Sequence, residues 1–215
     1  MDEVRSMQVA ELEEKLQLRK ALVDITNRIH GAQNLRQILI DLKDGILNLF
    51  SAHSITIYVV DRARSEIYSL LLVGARVKEI RVPINNRSIA GYVASAGRTV
   101  NIADAYDAAE LRAIDERLAF DQRWDRQSGF RTRQILAAPI FHNGMLMGVV
   151  QILNKKGGAG AFTGDEAGFL REIADVLGVA FFNQGRYTRK RVSRYDDLIG
   201  RNLITQAGLD SARGD

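Results

Sequence analysis

Any catalysis in this chain would have to come from histidine, hydroxyl or carboxylate side chains, because its 215 residues include no cysteine. That absence removes disulfides, thiolate nucleophiles, Cys-ligated zinc, iron–sulfur clusters and thioether-linked chromophores. Three histidines are present, His30 in a helical stretch, His53 ahead of a strand and His142 in a turn, and no spacing gathers two of them around a metal. Neither a nucleophile-elbow sequence nor a Gly-x4-Gly-Lys-Ser/Thr phosphate loop occurs, and Gly157-Gly158-Ala159-Gly160 reads as a turn. Thr163 and Glu166 have the spacing of a capping box, a structural device at a helix start. The expectation is a protein with no catalytic residues and no metal site.

The composition, 46% hydrophobic and 26% charged, is that of a folded chain, and the length suits one domain with extensions. A net charge of +4 raises the question of nucleic acid, but the excess is concentrated in Arg186, Arg189, Lys190, Arg191 and Arg194. A cluster of that kind reads as a helix end or linker, so no nucleic-acid partner is expected. No run of about 18 apolar residues exists, and the N-terminus is charged where a signal peptide would be hydrophobic. No membrane insertion is expected, and the location expected is cytoplasmic.

Residues 2–30 lack Gly and Pro and predict a long helix. Its apolar stripe is Val9, Leu12 and Leu16, then a shifted heptad seam, Leu18, Leu22, Ile25 and Ile29, which needs a partner surface on this domain or on a second subunit. Asn34 is placed to cap a second helix with an apolar face of Leu35, Ile38, Leu39, Leu42, Ile46, Leu49 and Phe50. From Ser54 the pattern turns to strands: 54–61 and 66–73 as a hairpin, 77–82 ending at Pro83, a short helix over 88–96, and a short strand over 99–102. The charged stretch 104–133 predicts loops and short helices. Strands over 134–141 and 145–153 flank His142-Asn143-Gly144, a strong hairpin signal, and a last helix carries Phe169, Leu170, Ile173, Val176, Leu177, Ala180 and Phe181. The fold class is α+β: a mostly antiparallel central sheet with the N- and C-terminal helices packed on one face and loops and short helices on the other.

Four stretches then carry a resemblance: Ser88-Ile-Ala-Gly-Tyr-Val-Ala-Ser-Ala-Gly97, Val100-Asn-Ile-Ala-Asp-Ala-Tyr106, Gly129-Phe-Arg-Thr-Arg-Gln-Ile-Leu136 with Pro139, and Gly148-Val-Val-Gln-Ile-Leu-Asn-Lys155. Over roughly residues 20–188 the chain resembles the GAF domain family, in the subgroup of cyclic nucleotide phosphodiesterases and adenylyl cyclases. The resemblance implies a pocket on the loop-covered side of the sheet for a purine nucleotide or other small molecule. It would be built from Thr56, Ala90, Asp125, Ser128, Thr132 and Gln151, with cyclic AMP or cyclic GMP as the candidate ligand. It also implies an Asn-Lys…Phe-x3-Asp-Glu signature, here Asn154, Lys155, Phe162 and Asp165-Glu166, one residue short after Phe162. Val73 stands where some nucleotide-binding members place a carboxylate.

The segment from Tyr195 to Ala212 resembles the start of the N-terminal domain of type II secretion and type IV pilus assembly ATPases. The organisation expected is therefore 1–30 as a dimerisation and signalling helix, 31–188 as the GAF domain, and 189–215 as a basic linker leading into a following effector domain or a tail. The function expected is a regulatory domain that binds a small ligand and controls a linked effector, such as a secretion-type ATPase or a signalling enzyme. It is expected to act as a homodimer through its terminal helices, with Phe182 and Val179 helping Leu22 and its neighbours to meet a symmetry mate. The rival from another class is a ligand-free dimerisation or docking module, separable by the cavity. A binder needs a polar-lined pocket of about 300 Å³ or more, which a scaffold would fill with side chains.

Overall fold

The computed structural model describes residues 2–31, 34–72, 79–158 and 160–184. Two long helices open the chain, α1 (Asp2–His30) and α2 (Leu35–Leu49), the second capped by Asn34, whose side-chain oxygen accepts from the Gln37 N–H. Strands β1 (Ala52–Asp61), β2 (Glu66–Leu72) and β3 (Arg81–Pro83) follow. Then come α3 (Ile89–Ala96), β4 (Val100–Ile102), α4 (Ala108–Ile114), α5 (Arg123–Ser128), β5 (Ile135–His142), β6 (Met145–Lys155) and a final helix, α6, over described residues 164–184.

The strands form one antiparallel sheet in the order β3-β2-β1-β6-β5-β4, so the first and last long strands are neighbours at its centre. Period-two alternation assigns the faces. Ile55 and Ile57 of β1, Leu136, Ala138 and Ile140 of β5, and Val150 and Ile152 of β6 join the core shared with α1, α2 and α6. The intervening Thr56, Tyr58, Ile135 and Gln151 face the opposite side, beneath α3 and α5. The fold is thus the α+β arrangement expected, and none of the described helices is long and apolar enough to cross a membrane.

Local signals account for most of these elements. Asn143 and Gly144, at φ of 49° and 73°, make the tight turn between β5 and β6. At the start of α6 the Thr163 hydroxyl accepts from the Glu166 N–H at 3.2 Å while the Glu166 carboxylate accepts from the Thr163 N–H at 2.6 Å, a complete capping box. Gly178 lets α6 lie directly on the hairpin, since a Cβ there would meet the Phe141 carbonyl.

Three expectations are corrected. The third strand, expected over 77–82, is described as Arg81–Pro83, with residues 79 and 80 outside any strand. Val73, Val77, the basic cluster from Arg186 and the tail over 189–215 lie outside the described residues. The seam of Leu22, Ile25 and Ile29, expected to meet a second subunit, is at most 3% exposed because it packs into the chain's own core beside α2, with Leu18 partly buried against it. Phe182 likewise stacks on His142 of the same chain, with ring centroids 4.2 Å apart. One sheet face carrying six strands has room for three helices, so these side chains find partners without a symmetry mate.

Candidate functional site

The face of the sheet opposite α1, α2 and α6 carries a second core and a cavity of about 100 Å³. Its floor comes from β1 and β6, where Thr56 and Gln151 are direct cross-strand partners and Tyr58 lies one pleat along. Thr56 is 2% exposed and Gln151 6%, yet among the described residues neither side chain has a hydrogen-bond partner. The Tyr58 hydroxyl is in the same situation, and burial pushes its pKa upward from the ordinary 10.0. Three neutral groups able to both donate and accept therefore converge on one space.

One wall is the start of α3. Ser88 caps it, its hydroxyl oxygen accepting from the Gly91 N–H at 3.1 Å, which leaves the Ile89 and Ala90 N–H groups without intrahelical partners. Gly91 sets how close this end sits to the sheet, since a Cβ there would fall 2.5 Å from the Pro83 carbonyl oxygen. The helix N-terminus thus offers amides and positive potential at the cavity, while Leu153, Ile135, Ile80 and Val82 supply apolar wall.

The lid is α5 with its flanks, contributing Trp124, Phe120 and Phe130. A buried carboxylate fastens it. Asp125 accepts from the Thr132 N–H at 2.7 Å, the Thr132 hydroxyl at 2.8 Å and the Tyr106 hydroxyl at 2.9 Å. Desolvation, and then the Asp125 carboxylate beside it, raise the pKa of Tyr106, whose ring carries the Arg131 guanidinium at 4.4 Å. At the other end of α5 the Arg123 guanidinium grips Asp121 with three bonds and holds that carboxyl below its ordinary range.

Behind the lid, Asn154 accepts from the Arg133 and Gln134 N–H groups and donates to the Arg131 carbonyl, which fixes the segment that carries Thr132. Lys155 reaches Glu166 at 3.0 Å, so the glutamate caps α6 and pairs with the lysine at once. The shortened spacing after Phe162 puts Glu166 itself at the fourth position after the phenylalanine, which is why the pairing survives. Among the described residues no three His, Asp or Glu side chains are grouped as a metal site requires.

Five of the six residues expected from the sequence, Thr56, Ala90, Asp125, Thr132 and Gln151, line this one cavity. Ser128 ends α5, and its side chain is outside what the structure describes. Asp125 and Thr132 are brought to the cavity but turned on each other, as lid fastening. The sequence reading missed Ser54 and Tyr58, which period two from Thr56 would have reached, and the aromatic lid, to which the lone tryptophan, Trp124, was a pointer. At about 100 Å³ the cavity is a third of the volume set for a binder, so the criterion that separates a ligand binder from a docking module is not met by the cavity in this conformation.

Residues 9–181 match the profile of the GAF domain family. A probable 3',5'-cyclic phosphodiesterase, pde-5, of Caenorhabditis elegans is 30% identical over 204 residues, covering 89% of this chain and 26% of that protein. The dual 3',5'-cyclic-AMP and -GMP phosphodiesterase 11A of Takifugu rubripes is 34% identical over 119 residues, 55% of this chain and 12% of that one. The chain therefore spans about a quarter or less of these relatives' length. Among solved structures, the GAF domain of a phosphoenolpyruvate-protein phosphotransferase from Coxiella burnetii superposes with a TM-score of 0.67 at 19% identity, over 81% of this chain and 98% of that one.

Proposed function

The chain belongs to the GAF domain family, a regulatory and sensory fold, and on that premise we propose that its cavity is a ligand sensor for a cyclic purine nucleotide. The observation that carries the reading is the pair Thr56 and Gln151, buried side by side with no partner among the described residues. No side-chain N or O among the described residues is both fully buried and unpaired, so the polar atoms of this pair open onto the cavity, where each hydrogen bond to a ligand is worth about 0.5–1.5 kcal/mol net. A purine edge presents donors and acceptors together and suits the neutral set of Thr56, Tyr58 and Gln151, while Trp124 and Phe120 offer faces for its ring.

Charge narrows the ligand further. Among the described residues no Lys or Arg lines the cavity, and Asp121 and Asp125 do. The α3 terminus near Ala90 then supplies the attraction for a phosphate, enough for the single charge of a cyclic phosphodiester but poorly matched to a triphosphate. The names of the phosphodiesterase relatives support cyclic AMP and cyclic GMP as the two candidates. Binding acts by drawing α5 away from Thr132 and by favouring one arrangement of the terminal helices, since a ligand shifts an equilibrium only through differential affinity. In this reading the protein is a cytoplasmic homodimer whose occupancy controls an effector domain beyond α6, a signalling enzyme or a secretion-type ATPase.

Calorimetry with cyclic AMP and cyclic GMP on the wild type and on Gln151→Leu tests it. Saturable heat with one nucleotide, lost in the variant, is expected. No heat and no thermal shift with either at millimolar concentration overturns the cyclic nucleotide reading.

A further inference from the structure

Gln134 is 6% exposed and is not among the residues that line the cavity, yet both ends of its side-chain amide are engaged. The nitrogen donates to the Gly158 and Gly160 carbonyls at 3.1 and 2.7 Å, and the oxygen accepts from the Lys155 N–H at 2.9 Å. On one side Gln134 follows closely on Thr132, whose bonds to Asp125 fasten the lid. On the other, the Lys155 ammonium reaches Glu166, which caps α6. A continuous series of bonded side chains therefore runs from the lid to the first turn of α6. We propose that Gln134 is a positioning residue that couples the two, so that opening of the lid loosens the start of α6.

Topology explains why such a link is needed. Leu170, Ile173 and Leu177 of α6 belong to the core on one face of the sheet, while Phe120 and Trp124 of the lid pack against the core on the other. Packed side chains pass a displacement only to what they touch, and the sheet stands between these two cores. A route must go around the ends of the strands, where Gln134 immediately precedes β5 and Lys155 ends β6. Asn154 marks the same junction: at φ 57° it is a non-glycine residue in the left-handed region, held there by its side-chain bonds to Arg131, Arg133 and Gln134. Burial makes the bonds interdependent. A shift of Gln134 parts its amide from Lys155 and from the glycine loop in one step, because a buried polar group left unpaired is costly. Lys155 then loses an anchor for the ammonium that holds Glu166.

The coupling deepens the sensor reading by naming how the state of the cavity reaches α6, and it rests on that reading for the ligand that moves the lid. Its test needs no ligand, because Asp125→Ala unfastens the lid by itself, so failure here is distinct from failure to bind cyclic AMP or cyclic GMP. Hydrogen exchange of the full 215-residue chain is measured with and without Asp125→Ala in the wild type, in Gln134→Met and in Glu166→Gln, with the β1 amides as the reference for global opening. In the wild type, Asp125→Ala should raise exchange over residues 123–132 and also, by about fivefold, over residues 163–167, the low end of usual coupling between sites. In Gln134→Met the rise over 123–132 should remain and the further rise over 163–167 should vanish. Glu166→Gln should behave alike, since it cuts the far end of the series without disturbing the buried amide. A lid that opens with no change over 163–167 overturns the coupling. A rise there that persists in either variant overturns the route through Gln134 and Lys155. No rise over 123–132 overturns the proposal at its first link.

Discussion

Asp125 accepts both the backbone N–H and the hydroxyl of Thr132, at 2.7 and 2.8 Å, so the two residues that look most like ligand contacts on the lid are each other's partners. The carboxylate is 9% exposed and takes a third bond from Tyr106. It ties α5 to the irregular segment that leads into β5 and closes the cavity over Thr56 and Gln151.

Removing the fastening should open the lid. Asp125→Ala leaves the Thr132 N–H and the Tyr106 hydroxyl unanswered and should cost about 2–3 kcal/mol in stability, with Thr132→Val costing about 1 kcal/mol. Hydrogen exchange should rise over residues 123–132 in both variants while the β1 and β6 amides remain protected. Unchanged exchange in that segment would show that the carboxylate does not hold the lid.

Gln151→Leu should separate binding from folding. The amide has no partner among the described residues, so replacing it by an apolar side chain of similar size should leave the melting temperature unchanged or raise it. Nucleotide affinity should fall roughly fivefold to a hundredfold, the equivalent of about 1–3 kcal/mol. Thr56→Val should behave alike. A large loss of stability in either would mean that these polar groups serve the fold.

Glu166 has two separable roles. Glu166→Gln keeps a side chain able to accept from the Thr163 N–H but removes the charge opposite Lys155, whereas Glu166→Ala removes both. The alanine variant should be the less stable by about 1 kcal/mol, the value of a cap. Equal destabilisation, read by urea unfolding, would assign all of the effect to the ion pair.

Asp61 predicts an acid limit at the β1–β2 edge. Hydrogen bonding to Arg81 holds its carboxyl below the ordinary 3.8, so its contribution is present above that value and is lost as the pH falls through the lower folded-state pKa. Wild type should therefore exceed Asp61→Asn in stability by a constant margin at neutral pH, and the margin should shrink on acidification below 3.8. A margin that persists unchanged at lower pH would remove the charge from the explanation.

Much of this was legible in the residues. The Asn143-Gly144 turn, the Asn34 cap and the Thr163–Glu166 box rest on contacts within four residues, so local spacing suffices to announce them. The family is legible for a related reason: four separated stretches keep their types and order, and the pocket positions the resemblance implies, Ser128's undescribed side chain apart, converge on one cavity.

What the chain order could not decide is which of two equivalent uses a side chain receives. Helix α1 carries two heptad seams, and only the three-helix packing against the sheet selects Leu22, Ile25 and Ile29 for the core and leaves Val9, Leu12 and Leu16 exposed. Asp125 is one of many carboxylates in a charged segment until the chain folds back to place Thr132 and Tyr106 within 3 Å of it. Thr56 and Gln151 lie 95 residues apart and become neighbours only because β1 and β6 pair at the centre of the sheet. Residue type determines what a side chain can do, but its partner is chosen by long-range pairing, whose free energy depends on the whole sheet rather than on any local stretch.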